Sequence, residues 1–247
     1  MSPWSNFART LLGGFTQLIY PNTCWICSEW MPPEQEHFCA VCRPRLTADP
    51  FSTCPRCSST VGPHLLLEGG CPECRDQSFA FDGAIRMGPY EGLLREVILR
   101  MKYATGEDLA EVIARLWARA MSERVRSIGA DCVIPVPLHW TRRWQRGFNP
   151  SECLALALAG TLAIPCWPNA LRRLRATPHQ TLQSGGAARR DNVKHAFQLR
   201  AGFALAGRTV LLVDDVLTTG ATASEAARAL RSQKPKSIHV AVMAHGR

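Results

Sequence analysis

The chain has 247 residues, of which 46% are hydrophobic and 20% are charged, and its formal net charge is +9. This composition excludes a disordered chain, and the apolar stretches are too short to cross a membrane. Residues 1–20 carry one arginine and a broken apolar run without an A-x-A-type cleavage site, which predicts a short helix rather than a signal peptide. We therefore expect a cytoplasmic protein.

Four C-x-x-C pairs follow this segment and account for eight of the eleven cysteines. In a reducing compartment such pairs favour metal binding over disulfides. Two pairs complete a tetrahedral four-thiolate site, which suits structural zinc, and a single iron in a rubredoxin-like site is the alternative. The pairs can combine in three ways, of which sequential use is the simplest. The predicted ligands are Cys24, Cys27, Cys39, Cys42, Cys54, Cys57, Cys71 and Cys74.

The composition changes near residue 80, which predicts a cysteine-rich domain over residues 1–80 and a second domain over residues 81–247. The segments EGLLREVILRMKY and GEDLAEVIARLWARAM have helical spacing, and DCVIPVP suits a buried strand that runs into a loop. SECLALALAGTLAI predicts a helix with Ser151 as its N-cap. RTVLLVDD, ASEAARALRSQ and KSIHVAVMAH predict a strand, a helix and a strand. These last three form a βαβ unit, so we expect an α/β fold with a parallel sheet.

The positive charge is concentrated between residues 139 and 200. Ten lysines and arginines stand there against Glu152 and Asp191, so this segment alone carries +8. A local excess of basic residues indicates an anionic partner, either nucleic acid or a small molecule rich in phosphate. A solvated basic surface is the alternative for most of these residues.

The stretch VLLVDDVLTTGAT, residues 210–222, places two adjacent acids at the end of the predicted strand. In open α/β folds ligands bind at that edge of the sheet. We expect Val216 to Thr222 to turn into the next helix, whose N-terminus favours phosphate. Two acceptor carboxylates beside an anion site suit vicinal hydroxyls next to a phosphate, as in ribose 5-phosphate. A Walker B metal site is the alternative, but the chain has no G-x-x-x-x-G-K-[ST] loop.

This stretch resembles the 5-phosphoribosyl-1-pyrophosphate (PRPP) motif of type I phosphoribosyltransferases. The cysteine pairs, MKY at 101–103, VIPVPLHWTRRWQRGFNPSE at 133–152 and residues 171–197 extend the resemblance to the ComF/GntX family. That family joins a double zinc ribbon to a phosphoribosyltransferase-like domain and is associated with DNA uptake in natural transformation. The resemblance implies ribose contacts for Asp214 and Asp215. It implies phosphate contacts for Thr218, Thr219, Gly220, Ala221 and Thr222.

The resemblance also implies a pyrophosphate site after the strand DCVIPVP. PRPP carries a diphosphate, which needs cations, backbone donors and usually Mg²⁺. Residues 175–190, with Gly-Gly and several arginines, are expected to form a lid that closes over the site. No sequence pattern identifies a general base, and none indicates which acceptor the protein binds. The pyrophosphate candidates are Leu138, His139, Arg142, Arg143 and Arg146.

Two functions follow from these patterns. The first is an enzyme that transfers a phosphoribosyl group from PRPP, with Mg²⁺, to an acceptor. The second is a protein without catalytic activity that binds single-stranded DNA and whose PRPP site is regulatory or vestigial. Trp140, Trp144 and Phe148 lie among arginines, as expected for stacking on bases, and packing in the protein interior is the alternative.

Overall fold

A computed structural model describes residues 22–63, 67, 69–175 and 195–246. The chain forms two compact units, Met1–Leu46 and Thr47–Arg247. The third and fourth cysteine pairs therefore belong to the same compact unit as the sheet. The boundary between residues 80 and 81, which follows composition, stays a prediction. The predicted helix within residues 1–20 and residues 176–190 of the predicted lid lie outside the described residues.

In chain order the described elements are α1 (Cys42–Thr47), β1 (Gly83–Pro89), α2 (Gly92–Met101), a 3₁₀ turn (Ala104–Gly106), α3 (Glu107–Ile128), β2 (Cys132–Pro135), α4 (Trp140–Arg146), α5 (Pro150–Leu162), β3 (Leu171–Arg173), β4 (Phe197–Leu199), β5 (Thr209–Leu217), α6 (Ala221–Arg231) and β6 (Ser237–His245).

The larger unit is built on a four-stranded parallel sheet in the order β1-β6-β5-β2, and β3 pairs with β4 in a separate antiparallel ribbon. The strands β5 and β6 lie in the middle of the sheet, which explains their nearly continuous apolar sequences.

The parallel α/β architecture predicted from the sequence is confirmed. The two segments with helical spacing form α2 and α3, and the βαβ unit is β5, α6 and β6. The helix α3 packs against α5 with the indole of Trp117 fully buried, and the Trp117 Nε1–H donates to Val242 O at 3.2 Å. This hydrogen bond satisfies the one polar atom of an otherwise apolar side chain and ties the helix layer to β6.

The strand β1 was not predicted, because Arg86 interrupts its apolar pattern. Arg86 is nevertheless buried, since its guanidinium pairs with the equally buried Asp49 at 2.8 Å and donates to Thr60 Oγ1 at 2.8 Å. A buried charge is tolerated when it is paired and hydrogen-bonded in this way. The pairing partner lies 37 residues away in the chain, so no local pattern could indicate it.

The predicted N-cap of α5 was wrong. Asn149, not Ser151, caps the helix, and its side-chain oxygen accepts from the Ser151 backbone N–H at 3.3 Å. The ring of Pro150 occupies the first helical position, where its missing N–H costs nothing. The Ser151 side chain is thereby released for a contact with the acidic pair. Among the described residues, no helix is long and apolar enough to cross a membrane.

Candidate functional site

The two adjacent acids lie within β5, not at its end as predicted. The strand continues to Leu217, so the prediction that Val216 already belongs to the turn was wrong. The neighbouring strand β2 ends at Pro135, which pairs with Val213, whereas β6 accompanies β5 to Leu217. The acids therefore begin where β5 loses one neighbour. This one-sided end of the ladder opens a gap at the carboxyl edge of the sheet, where ligands bind in such folds.

Asp214 is held by two hydrogen bonds to a single oxygen. Its Oδ1 accepts from the Ser151 hydroxyl at 2.9 Å and from the Asp215 backbone N–H at 2.9 Å. Burial and the neighbouring charge of Asp215 raise the pKa of Asp214 to about 7, although both hydrogen bonds and Lys102 act to lower it. The carboxyl group is therefore fixed in orientation and titrates near neutral pH, as expected for groups at functional sites.

Asp215 forms an ion pair with Lys102, whose Nζ lies 3.0 Å from Asp215 Oδ2. Burial acts to lower the pKa of Lys102, but the charge and hydrogen bond of Asp215 outweigh it and raise the pKa. Lys102 is the middle residue of the stretch MKY and caps the C-terminus of α2. Neither Lys102 nor Ser151 was predicted as a site residue. Both approach the acids only through tertiary folding.

The turn after the acids is short. Only Thr218, Thr219 and Gly220 separate β5 from α6, and Gly220 is the N-cap residue of that helix with φ of 73°. Ala221 and Thr222 already belong to the first turn of the helix. The Ala221 backbone N–H points toward Thr219 Oγ1 at 3.5 Å. The predicted phosphate residues thus occupy a tight turn and a helix N-terminus, which together present backbone N–H groups to an anion.

Phe79 packs against the turn of Thr218, Thr219 and Gly220, the predicted phosphate turn. A Cβ on Gly220 would lie 2.8 Å from Phe79 Cε1, so the turn has room for glycine alone and its left-handed backbone favours glycine as well. The Phe79 ring stacks on Phe81 with centroids 4.6 Å apart and packs against the second cysteine cluster. The Ala80 N–H donates to Ser224 Oγ at 3.0 Å in the first turns of α6. The turn is therefore braced by the cysteine-rich segment.

The pyrophosphate candidates lie on α4 and in the two positions before it, shortly after β2. His139 is buried and caps α4, since its Nδ1 accepts from the Thr141 backbone N–H at 3.4 Å. Arg143 Nη1 lies 2.7 Å from Glu152 Oε2. Burial lowers the pKa of Arg146, and the charge of Asp215 acts to raise it. Arg146 is therefore within electrostatic reach of Asp215, while His139 and Arg143 have structural contacts. Leu138 follows β2 in the loop, and Arg142 lies on α4.

The family stretch RGFN, which contains Arg146, connects α4 to α5. Gly147 ends α4 with φ of 84°, Phe148 is buried with 5% of its surface exposed, and Asn149 Nδ2 donates to Val136 O at 3.1 Å. The Phe148 side chain is therefore packed in the interior. Trp140 and Trp144 differ from it, because 70% and 84% of their surfaces are exposed.

The eight predicted metal ligands form two separate four-thiol clusters. The structure uses the pairs sequentially, so one cluster is Cys24, Cys27, Cys39 and Cys42, and the other is Cys54, Cys57, Cys71 and Cys74. Within each cluster all Sγ atoms lie within 4.8 Å of one another. Individual pairs such as Cys27–Cys39 and Cys54–Cys74 are 3.8 Å apart. Sulfurs at about 2.3 Å from a tetrahedral ion are separated by about 3.8 Å, so each cluster fits one metal ion.

Backbone donors favour the thiolate form of one cysteine in each cluster, whereas burial raises the pKa of Cys42 and Cys57. The Cys39 N–H donates to Cys24 Sγ at 3.4 Å. Burial acts to raise the pKa of Cys24, but backbone N–H groups outweigh it and lower the pKa to about 6. The same balance lowers the pKa of Cys54 to about 7. Such knuckles preorganise thiolates for a cation, and binding by four protein ligands is typical of structural sites.

Comparison with known proteins agrees with this architecture. Residues 154–247 match the family model described as phosphoribosyl transferase domain. The chain is 31% identical over 228 residues to DNA utilization protein YhgH of Escherichia coli K12, covering 90% of this chain and 96% of that protein. It is 31% identical over 208 residues to Competence protein F of Haemophilus influenzae, covering 82% and 87%.

Among solved structures, glutamine phosphoribosylpyrophosphate amidotransferase from B. subtilis, complexed with ADP and GMP, is similar with a TM-score of 0.40 and 21% identity. That match covers 59% of this chain and 30% of the other. The similarity to DNA utilization protein YhgH extends over 90% of this chain. The chain therefore belongs to the ComF/GntX family, which combines paired four-cysteine clusters with a phosphoribosyltransferase-like domain.

Proposed function

We propose that this protein binds PRPP or a closely related phosphoribosyl ligand at the carboxyl edge of its sheet. The observation that carries the proposal is the fixed acidic pair, with Asp214 held by Ser151 and Asp215 by Lys102, next to a three-residue turn into α6. Two oriented acceptors suit vicinal ribose hydroxyls, and the adjoining helix N-terminus suits the 5-phosphate. The arrangement of these groups matches one ligand that carries both features.

Each part of the ligand then has its own set of residues. Asp214 and Asp215 accept hydrogen bonds from the ribose hydroxyls. The 5-phosphate lies against the backbone of Thr218, Thr219, Gly220, Ala221 and Thr222. The diphosphate lies toward α4, where Arg146 is the strongest candidate because the charge of Asp215 acts on it. Leu138, His139, Arg142 and Arg143 complete the proposed pyrophosphate set.

The chemistry that these residues support is phosphoribosyl transfer. Cations around a diphosphate stabilise the charge that develops on it as it leaves, which is the main catalytic contribution expected at such a site. Mg²⁺, when bound with the diphosphate, supplies further neutralisation of that charge. The acceptor is a separate question, since none of the described side chains at the edge of the sheet is placed as its general base. We further propose that each cysteine cluster binds one structural zinc ion. The proposed location of the protein is the cytoplasm.

The relatives suggest the biological setting. One is named a DNA utilization protein and another a competence protein. We propose a role in DNA uptake or the use of incoming DNA, with the phosphoribosyl site as part of that role. The excess of positive charge between residues 139 and 200 supports contact with an anionic polymer as well as with a diphosphate.

Calorimetric titration with PRPP and Mg²⁺ tests the phosphoribosyl site. We expect a single site in the wild type and the loss of its heat in Asp215→Asn. Asp108→Asn, which removes an exposed acid at the start of α3, is the matched control and should bind as the wild type does. Equal heats of binding in the wild type and Asp215→Asn would show that Asp215 is not part of the PRPP site. Pyrophosphate release with candidate acceptors then distinguishes turnover from binding.

Single-stranded DNA binding is the second proposed function, and the exposure of Trp140 and Trp144 favours it. The two indoles project from a short helix that also carries Arg142, Arg143 and Arg146, a combination that suits stacking on bases along a charged backbone. The packing alternative holds for Phe148 alone. In this version the phosphoribosyl site is regulatory and no transfer takes place.

Titrations of a fluorescent oligonucleotide at two salt concentrations test this second function. Affinity should fall steeply with salt, and Trp144→Ala should weaken binding by about tenfold at the lower concentration. Phe51→Ala, which removes another exposed aromatic side chain, is the control and should have little effect. The absence of binding at low salt, or an unchanged affinity in Trp144→Ala, would exclude α4 as a binding surface for single-stranded DNA.

A further inference from the structure

Lys102 lies where a positive charge can act on both acids. Its backbone N–H donates to Leu99 O at 3.0 Å at the end of α2, which fixes the start of the side chain. The Lys102 Nζ reaches Asp215 Oδ2 at 3.0 Å, and the two side chains are 27% and 17% exposed. A largely desolvated ammonium at this distance interacts more strongly with a carboxylate than a surface pair does.

Lys102 compensates the charge of Asp215 by direct contact. Its Nζ lies 3.0 Å from Asp215 Oδ2, and its charge also acts on Asp214. Burial lowers the pKa values of Arg146 and Arg173, and the charges of Asp215 and Asp214 act to raise them. Mg²⁺ is bound by oxygen ligands that carry uncompensated negative charge, and it releases its water reluctantly. The negative charge of Asp215 is already compensated by Lys102.

We propose that Lys102 replaces a divalent cation at the ribose end of the site, so that the sugar-phosphate part of the ligand binds without Mg²⁺. The metal ion is then needed only where the diphosphate is present. This inference rests on the proposed phosphoribosyl function. It assigns Lys102 as a positioning residue, which holds Asp215 through one oxygen and leaves the other oxygen to accept from a ribose hydroxyl.

Ribose 5-phosphate is the probe, because it contains the sugar and the 5-phosphate but no diphosphate. Its titration is carried out in metal-depleted buffer without a chelator, so that the cysteine clusters keep their ions, and is repeated with millimolar Mg²⁺. The wild type should show the same affinity within about twofold in both buffers. PRPP should lose at least about tenfold in affinity when Mg²⁺ is withdrawn.

Replacement of Lys102 should create a metal requirement. In Lys102→Met we expect ribose 5-phosphate binding to weaken by about tenfold without Mg²⁺ and to recover in part when Mg²⁺ is added. Lys102→Arg should keep most of the affinity, because it retains a positive donor. Lys236→Met, on an exposed position before β6, should behave as the wild type. Recovery by a metal ion is a readout that a merely structural role of Lys102 would not give.

Three results would overturn the inference. One is a wild type whose ribose 5-phosphate affinity falls about tenfold or more without Mg²⁺. Another is a correctly folded Lys102→Met that binds as the wild type does in metal-depleted buffer. The third needs no sugar ligand: Mn²⁺ that binds to the ligand-free wild type, and no longer binds to Asp215→Asn, would place a cation at the acids. If neither ribose 5-phosphate nor PRPP binds, and Mn²⁺ also does not bind at the acids, the phosphoribosyl function is refuted instead.

Discussion

The Ser151 hydroxyl donates to Asp214 Oδ1 across 2.9 Å and so joins the first turn of α5 to the middle of β5. Asn149 makes this contact possible, because it caps α5 in place of Ser151. The hydroxyl directs one carboxylate oxygen and leaves the other for a ligand. We therefore expect this hydrogen bond to contribute more to ligand affinity than to folding.

Ser151→Ala tests that expectation. A hydrogen bond from a hydroxyl to a charged group contributes about 1.5–3 kcal/mol, so PRPP affinity should fall by about tenfold. The free energy of unfolding should change by only about 1 kcal/mol, because Asp214, whose pKa is about 7, can take up a proton in the ligand-free variant. Thr161→Ala removes a hydroxyl of the same helix that donates to Ala157 O at 2.9 Å and should leave affinity unchanged. Equal losses in the two variants, measured by calorimetry, would contradict a specific role for Ser151.

Asp214 should make the ligand-free protein less stable as the pH rises. Its pKa is about 7 in the fold, because of burial and the charge of Asp215, against 3.8 in the unfolded chain. The folded state therefore holds a proton that the unfolded state has lost, and stability that is present below pH 4 disappears as the pH rises through 7. Between pH 5 and 8 the loss amounts to about 2–3 kcal/mol.

Urea unfolding of the wild type and Asp214→Asn between pH 5 and 8 measures this effect. The variant cannot ionise at this position, so its stability should exceed that of the wild type increasingly as the pH rises. The comparison is needed because His245 acts in the opposite direction: burial and Arg86 lower its pKa to about 4, so it destabilises the fold as the pH falls through 6.5 to 4. Parallel stability curves for the two proteins would show that Asp214 is ionised throughout.

Gly220→Ala should damage the phosphate turn. The added methyl group would lie 2.8 Å from Phe79 Cε1 at a backbone φ of 73°, so we expect a loss of about 1–2 kcal/mol in stability and weaker PRPP binding. Gly160→Ala is the matched control. It lies inside α5 with no heavy atom within 4 Å of the new methyl group, and it should stabilise the protein by about 0.5–1 kcal/mol. A tolerated Gly220→Ala would mean that Phe79 does not constrain the turn.

Metal analysis should find two zinc ions per chain. Cys27→Ser should remove the ion of the first cluster, and Cys74→Ser should remove that of the second. Because Phe79 packs against the second cluster and the phosphate turn, only Cys74→Ser should also weaken PRPP binding. Cys132→Ser, which changes a buried cysteine outside both clusters, should keep both ions. A single ion in the wild type, or iron in place of zinc, would contradict the assignment.

The sequence predicted the parts of this structure whose signals are local. The apolar run before Asp214, the helical spacing of α2 and α3, and the C-x-x-C pairs each carry their own pattern. The contacts that complete the site do not. Lys102 and Ser151 are ordinary polar residues at a helix end and a helix start, and only the packing of α2 and α5 near β5 brings them to the acids.

The residue at which β5 ends could not be predicted from the sequence either. A strand continues for as long as a neighbour offers hydrogen-bond partners, and β6 accompanies β5 to Leu217. The same reasoning explains β1, whose Arg86 is buried only because Asp49 is available to pair with it. Partners that are distant in the chain determine both outcomes.

A crystal structure of the protein with PRPP and Mg²⁺ is the most direct measurement of the central claim. The ribose hydroxyls should lie within hydrogen-bonding distance of Asp214 and Asp215, with the 5-phosphate on the backbone N–H groups between Thr218 and Thr222 and the diphosphate toward Arg146. The Lys102–Asp215 pair should persist. A ligand bound elsewhere in the protein, or a phosphate that avoids this turn at saturating PRPP, would contradict the account.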